Sequence, residues 1–453
     1  MAEAGGFRHR LISGWISDYS SVPVWEPWPS IRLDRRLQTD LDEVFAVAGA
    51  SGYTGIILWG LLAGRSWAPH LPETVDEARA RRVVEVMAAA RAHGLKLIMG
   101  LGLYSWGFDR IIAEHPELDG GGASVMCASR PASWGWMRRV VDYVMEGFAP
   151  DGISMQSSDM GRCPCDACQE MASLEYHSRI NDRVASYVRS RWPETLIEIS
   201  TWGMDLSNPD DLPHVRQMTA HADVLNDFNN SSARCGREHR KALIGALSCA
   251  FGTEQGWWLD PPPFLDRLRW FVPLSLSNVA YWRDLADDGA ASVQRYILPL
   301  ANPGAEVGMI FDGLMLQDVH QEPLPVLIEA LGRVFEPRTL AVGEALAEVW
   351  QSVEQAFIAA QPPATYPHMV SLSGVHYSGT VPPERLADRP EYLLRMKPVT
   401  LRSYGDSLRS ALATVQSVRP DLGSAEKAVR LERCIRLSLS DVERAQAWRP
   451  ACP

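Results

Sequence analysis

Short apolar runs alternate with longer stretches of helical periodicity along most of the chain. The strand-like runs fall at 11–15, 55–59, 97–101, 152–156, 196–201, 224–227, 243–247 and 279–282. Between them, 75–93, 133–148, 168–191 and 263–274 carry charged and apolar residues at helical spacing. Strands alternating with helices build a parallel sheet with the helices outside, and a count of eight favours closure over an open, doubly wound sheet. The pattern predicts an α/β fold, a (β/α)8 TIM barrel over about residues 1–300. Past Gln294 it turns helical, most clearly at 329–334, 339–361 and 398–418, which predicts a helical C-terminal domain over 301–453 without strand alternation. Proline-rich breakers at 361–368 and 379–383 interrupt it.

Length and charge narrow the classes. The 453 residues exceed one typical domain, so a barrel with an appended unit is a natural division. A formal charge of −11 and the lack of a lysine- or arginine-rich run argue against nucleic acid as the main partner. No uncharged apolar run reaches membrane-spanning length, and the first residues lack the apolar segment of a signal peptide. The expectation is a cytoplasmic protein acting on a small molecule, with its oligomeric state open.

The eight cysteines are Cys127, Cys163, Cys165, Cys168, Cys235, Cys249, Cys434 and Cys452, and their clustering is unlike a dispersed disulfide framework. Three of them form C-x-C-x2-C directly after the fourth strand pattern. A tetrahedral zinc site needs a fourth ligand. Cys127 is the best candidate, because it precedes the helix leading into strand four; Cys235 and His177 are weaker ones. Free thiols or a local disulfide remain the alternative to a structural Zn2+.

Tryptophan is unusually frequent, with 16 in the chain. Trp15, Trp59, Trp106, Trp202, Trp257, Trp258 and Trp282 stand near predicted carboxyl ends of strands, where a barrel keeps its chemistry. Flat aromatic faces suit the C–H-rich faces of sugars, although core packing is the commoner explanation of any single ring.

The acids near the same ends are Asp18, Glu26, Asp159, Asp205, Asp227, Glu254, Asp260 and Asp284. Glycosidic cleavage normally takes two carboxyl groups, one protonating the leaving oxygen and one acting as nucleophile or activating water. Asp159 follows strand four, Asp227 ends strand six, Glu254 is expected in the loop after strand seven, and Asp284 after strand eight beside Arg283. Each has the plainer reading of a solvated acid or a salt-bridge partner. Alternation through 196–201 turns Glu198 toward the barrel interior, where an ion pair with Arg or Lys is the expected arrangement. No thiol-enzyme signature, G-x-G-x-x-G, G-x4-G-K-[ST] or H-E-x-x-H is present in a fitting context.

The segment Asp151-Gly-Ile-Ser-Met-Gln-Ser-Ser-Asp159 followed by Gly161-Arg-Cys163-Pro-Cys165-Asp-Ala-Cys168 resembles a group of bacterial glycoside hydrolase-like barrels akin to α-glucuronidases and hexosaminidases. In that group a strand-four segment ending in an acid precedes a C-x-C-x2-C, and an earlier Cys stands before the preceding helix, as Cys127 does. The resemblance covers about residues 95–205 and implies a carbohydrate-active barrel. Hexosaminidase-type barrels end strand four with adjacent acids, whereas here the pair reads Ser158-Asp159. The second carboxylate is therefore expected from another loop, Glu254 before Asp227 or Asp284.

The leading expectation is a hydrolase with a glycoside substrate. Its site comprises Asp159 and that distal acid, with Trp15, Trp59, Trp106, Trp202, Trp257 and Tyr281 as aromatic lining. A non-catalytic carbohydrate-binding barrel is one alternative. A uronic-acid lyase or epimerase, with Arg283 on the substrate carboxylate, is another.

Overall fold

The computed structural model describes residues 5–22, 32–63, 66–121, 124–159, 161–228, 231–258, 271, 273, 275–296, 300–360, 369–371, 393 and 396–448. Eight parallel strands close into a barrel: β1 (His9–Trp15), β2 (Gly55–Trp59), β3 (Lys96–Gly102), β4 (Gly152–Gln156), β5 (Leu196–Ser200), β6 (Val224–Asp227), β7 (Ala250–Trp258) and β8 (Ser292–Tyr296). Closure is made where β1 pairs on both sides, Leu11 lying opposite Gly55 of β2 and Gln294 of β8.

Helices fill each crossover: α1 (Arg35–Ala50), α2 (Glu77–Ala92), α3 (Asp109–Glu114), α4 (Pro131–Phe148), α5 (Asp166–Gln169), α6 (Ser173–Arg191), α7 (Leu212–Thr219), α8 (Arg237–Ala246), α9 (Val279–Asp287) and α10 (Pro303–Met315). Beyond them come α11 (Pro323–Phe335), α12 (Leu340–Ala360), a three-residue strand β9 (Met369–Ser371), α13 (Pro398–Val418) and α14 (Ala425–Trp448). The fold is a (β/α)8 barrel with a helical C-terminal region. Among the described residues no helix is long and apolar enough to cross a membrane.

Strand alternation divides the side chains into two populations. Ile12, Ile56, Leu58, Leu97, Met99, Ile153, Met155, Ile197, Ile199, Leu225, Phe251 and Val293 point outward into the large core shared with the helices. Inside, Leu11, Ile57, Ile98 and Leu196 form a separate small apolar cluster that includes Trp59. The inward set changes character toward the carboxyl ends, through Ser13, Ser154, Glu198, Asn226, Glu254 and Gln294, all buried, to the tryptophans.

The C-terminal helices are tied to the barrel by specific contacts. The Glu354 carboxylate on α12 accepts the backbone N–H groups of Leu276 and Ser277 ahead of α9. Lys427 of α14 reaches Glu306 of α10 at 2.8 Å. Arg295 on β8 donates to the Asp312 carboxylate on α10 at 2.8 Å, with both residues buried.

Six of the eight predicted strands coincide with observed ones, and two are corrected. The run 243–247 is the end of α8, and 279–282 opens α9. A short apolar run with no alternation fits a buried helix face as well as a strand. The actual β7 and β8 read Ala-Phe-Gly-Thr-Glu-Gln-Gly-Trp-Trp and Ser-Val-Gln-Arg-Tyr, in which polar inward residues hide the signal. The expectation of no strand beyond the barrel is likewise corrected, because β9 pairs parallel with Gly256–Trp258. The helix expected at 263–274 lies almost wholly outside the described residues.

Candidate active site at the barrel mouth

Three indole rings from successive strand ends form one cluster. Trp15 ends β1, Trp59 ends β2, and Trp106 follows β3. Ring centroids are 5.9 Å apart for Trp15 and Trp59, 5.3 Å for Trp15 and Trp106, and 6.4 Å for Trp59 and Trp106. Space for this cluster comes from Gly100 on β3: a Cβ there would lie 2.2 Å from Cδ2 of Trp59. Any side chain at position 100 would thus force the ring or the strand to move.

Beside this cluster, Asp18 is buried in the turn after β1. One carboxylate oxygen accepts the Trp15 backbone N–H at 2.7 Å and the phenolic O–H of Tyr296, the last residue of β8. Tyr296 is a mouth residue that the sequence pattern missed, because β8 was placed too early.

Asp159, in the loop after β4, is only partly exposed. Burial raises its pKa above the ordinary carboxylate range, and a hydrogen bond from the Trp202 side chain opposes the shift. Trp202, following β5, is fixed from two further sides: its ring meets Phe228 edge-on at 4.6 Å, and its carbonyl accepts the Ser158 hydroxyl. A carboxyl group that keeps its proton to higher pH, with an aromatic partner, is suited to donate that proton. Neighbouring Ser157 faces outward to a different network on α6, bonding Nδ1 of His177 at 3.1 Å and accepting Nδ2 of Asn181 at 2.9 Å.

The other expected acids lie elsewhere. Asp227 ends β6 but is fully buried, and its two oxygens accept Ser231 N–H, Ser231 O–H and Ser232 N–H, bracing the following turn. Glu254 is not in a loop; it sits within β7, and its side chain is fully buried in the barrel interior. Asp284, expected after a strand, is on α9 and pairs with Arg237 at 2.8 Å. Its neighbours follow it. Tyr281 packs on the same helix under Arg240, and Arg283 donates to the carbonyls of Val319 and Gln321. Trp282 is completely buried on α9 as well. All these placements follow from the displaced eighth strand. Asp205 is exposed and faces Arg234 at 3.5 Å. Trp257 and Trp258 end β7 with side chains outside the described set, and Glu26 and Asp260 lie outside the described residues.

Below the mouth, Glu198 and Glu254 face one another's surroundings across the lumen. Burial drives the Glu198 pKa up to about 8, against weak help from Ser154 and Asn226. For Glu254 burial again comes first and the Glu198 charge adds to it, also reaching about 8, while Ser13, Asn226 and Gln294 oppose. The expected Arg or Lys partner of Glu198 is not there: among the described residues no cation reaches it.

The cysteines converge as a unit. The Sγ atoms of Cys127, Cys163, Cys165 and Cys168 all lie within 4.8 Å of one another, and none is in a disulfide. Cys127 comes from the loop before α4, Cys163 and Cys165 from the loop after β4 and Cys168 from α5, so the group joins the segments that follow β3 and β4. Four thiolates at about 2.3 Å from a central ion would be compatible with this spacing. Burial raises Cys163, while the Cys165 thiol, despite the upward pull of its own burial, is brought down to about 7 by the Cys168 amide and the surrounding thiols. Of the weaker ligand candidates, Cys235 donates to the Ser207 carbonyl and His177 is taken by Ser157.

The fold and this site together define a (β/α)8 barrel with an aromatic mouth and a cysteine-anchored loop after strand four. No family model and no curated protein matches the chain. Among solved structures it is similar to a mutant of the O-GlcNAc hydrolase of Thermobaculum terrenum, with a TM-score of 0.52 and 12% identity over 98% of this chain and 88% of that one. It is also similar to CpGH84B, with a TM-score of 0.51 and 8% identity, covering 98% of this chain and 70% of the other. At these identities the likeness is one of fold.

Proposed function

We propose that the protein is a glycoside hydrolase whose barrel, about residues 1–300, carries the chemistry at the mouth formed by Trp15, Trp59, Trp106, Asp159 and Trp202. The observation that carries this reading is Asp159: a carboxyl group after β4, pushed up by burial and held by Trp202. The O-GlcNAc hydrolase of similar fold supports a sugar substrate. Protonated Asp159 donates to the glycosidic oxygen as the C–O bond breaks, and the oxocarbenium-like centre is taken by water. A second carboxylate receives the proton of that water.

Glu254 cannot readily fill that second role from the strand interior. Asp18 is the better candidate, because it lies at a strand end with its carboxylate oriented by Trp15 and Tyr296. The lyase reading loses its residue, since Arg283 is engaged on the outer helix. The four cysteines would hold a structural Zn2+ that fixes the loop bearing Asp159, in keeping with thiols kept reduced in a cytoplasmic setting.

The test is a panel of aryl glycosides, including N-acetylglucosaminides and glucuronides, assayed with the wild type and with Asp159→Asn. Turnover of one substrate, lost in the variant, supports the reading. Sugar binding in calorimetry with no turnover of any substrate would replace it with a carbohydrate-binding barrel.

A further inference from the structure

The interior of the barrel contains an unusual surplus of oxygen acceptors. Asn226 Nδ2 donates to Gln294 Oε1 at 3.0 Å and reaches Glu254 Oε2 at 3.5 Å, and Gln294 Nε2 donates to the same Glu254 oxygen at 3.1 Å. Both carboxylate oxygens of Glu198, the second oxygen of Glu254 and the Asn226 carbonyl oxygen are left buried without a hydrogen-bond partner. Glu198 and Glu254 are entirely shielded from solvent, and Asn226 nearly so. Ser13 and Ser154 lie alongside the two carboxyl groups and add two more oxygens.

Leaving one buried acceptor unsatisfied costs about 1–3 kcal/mol, so four in one place call for a partner. Its chemistry is set by the donors, which are all oxygen and include two carboxyl groups. Sulfur and imidazole are absent from the set, which disfavours zinc or copper. A site walled by protein oxygens also disfavours magnesium, which demands octahedral geometry and keeps several waters.

We propose that Glu198, Glu254 and Asn226 hold a buried divalent cation of the calcium type, with Ser13 and Ser154 completing its oxygen shell. Two carboxylates would neutralise the two positive charges, and the ion would satisfy all four orphaned oxygens at once. By linking β5, β6 and β7, and β1 and β4 through the serines, it fastens the strands beneath the mouth from the inside. The site is separate from Asp159 and from the cysteine cluster, and it stands whether or not the protein cleaves glycosides.

The full chain is dialysed against EGTA and titrated at pH 8 with CaCl2 in a calorimeter, with MgCl2 as a parallel arm and thermal unfolding as a second readout. One Ca2+ per chain, a raised Tm and weaker binding of Mg2+ are expected. Glu198→Gln should loosen calcium by at least about tenfold, because ligand charge sets affinity in such sites. Glu77→Gln, an exposed acid on α2, should leave it unchanged. If the Glu198 variant fails to fold, the wild-type titration decides alone. No heat and no Tm change in 10 mM CaCl2 overturns the proposal, and so does preference for Mg2+.

Discussion

The Trp202 side chain donates a hydrogen bond to the Asp159 carboxylate, which burial has already made a weaker acid than usual. The two effects oppose each other, so the pair sets where Asp159 loses its proton. Asp159→Asn should lower turnover by about a hundred- to ten-thousand-fold, the usual share of a general acid, with an unchanged circular dichroism spectrum. Trp202→Phe removes a bond that favours the charged form. The alkaline limb of the kcat profile should therefore move to higher pH, and a limb that stays in place would remove Asp159 as the proton donor.

The cysteine cluster makes a prediction about composition. Protein purified without added metal should contain about one zinc per chain, and Cys165→Ser should sharply reduce it. Because a metal site that exists only in the folded chain contributes its binding energy to folding, chelation should lower Tm. Four ligands leave no open position for water, so substrate chemistry should suffer only through the loop. Freely titrating thiols at Cys127, Cys163, Cys165 and Cys168 in a metal-free protein of undiminished Tm would count against the site.

Much of this arrangement was legible because the first six strands are apolar on their outward faces and bounded by helices. Gly55–Trp59, Gly152–Gln156 and Val224–Asp227 begin and end where the pattern places them. The Cys127 pairing was readable for the same reason, since chain order puts consecutive crossovers side by side. The last two strands were not, because Glu254, Gln294 and Arg295 interrupt the apolar signal with residues that serve the interior or α10. One displaced strand then carried Asp284, Tyr281 and Arg283 to a mouth they do not line. Tyr296, the true end of β8, carried no cue in the sequence, since its role depends on meeting Asp18 across the barrel seam.

Gly100 tests whether the tryptophan cluster is a built feature of the mouth. An added methyl group would stand 2.2 Å from Cδ2 of Trp59, so the ring or the strand must move. Gly100→Ala should cost about 1–3 kcal/mol in urea unfolding, the typical range for overpacking. Displacement of Trp59 would also disturb Trp106 and Trp15, so tryptophan fluorescence should change together with substrate KM. An equal loss of stability with unaltered fluorescence would mean that the strand yields instead of the ring.

Glu198 and Glu254 predict an alkaline weakness in the calcium-free protein. Each holds its proton to about pH 8 in the folded chain, primarily through burial, against an ordinary value of 4.5. The folded state therefore binds protons more tightly than the unfolded one. By linkage, this contribution to stability is fully present below the unfolded pKa and is lost as pH rises through the folded value. In EGTA, the urea midpoint should fall between pH 5 and pH 8.5, with a loss on the order of a few kcal/mol. Other groups titrate over the same interval, so the decisive quantity is the difference between wild type and the Glu198→Gln, Glu254→Gln double variant. That variant cannot ionise at either position and should be the flatter of the two. Saturating CaCl2 should flatten the wild-type curve as well, because a bound cation stabilises the charged carboxylates. Parallel curves for wild type and double variant in EGTA would show that the pair is not what titrates.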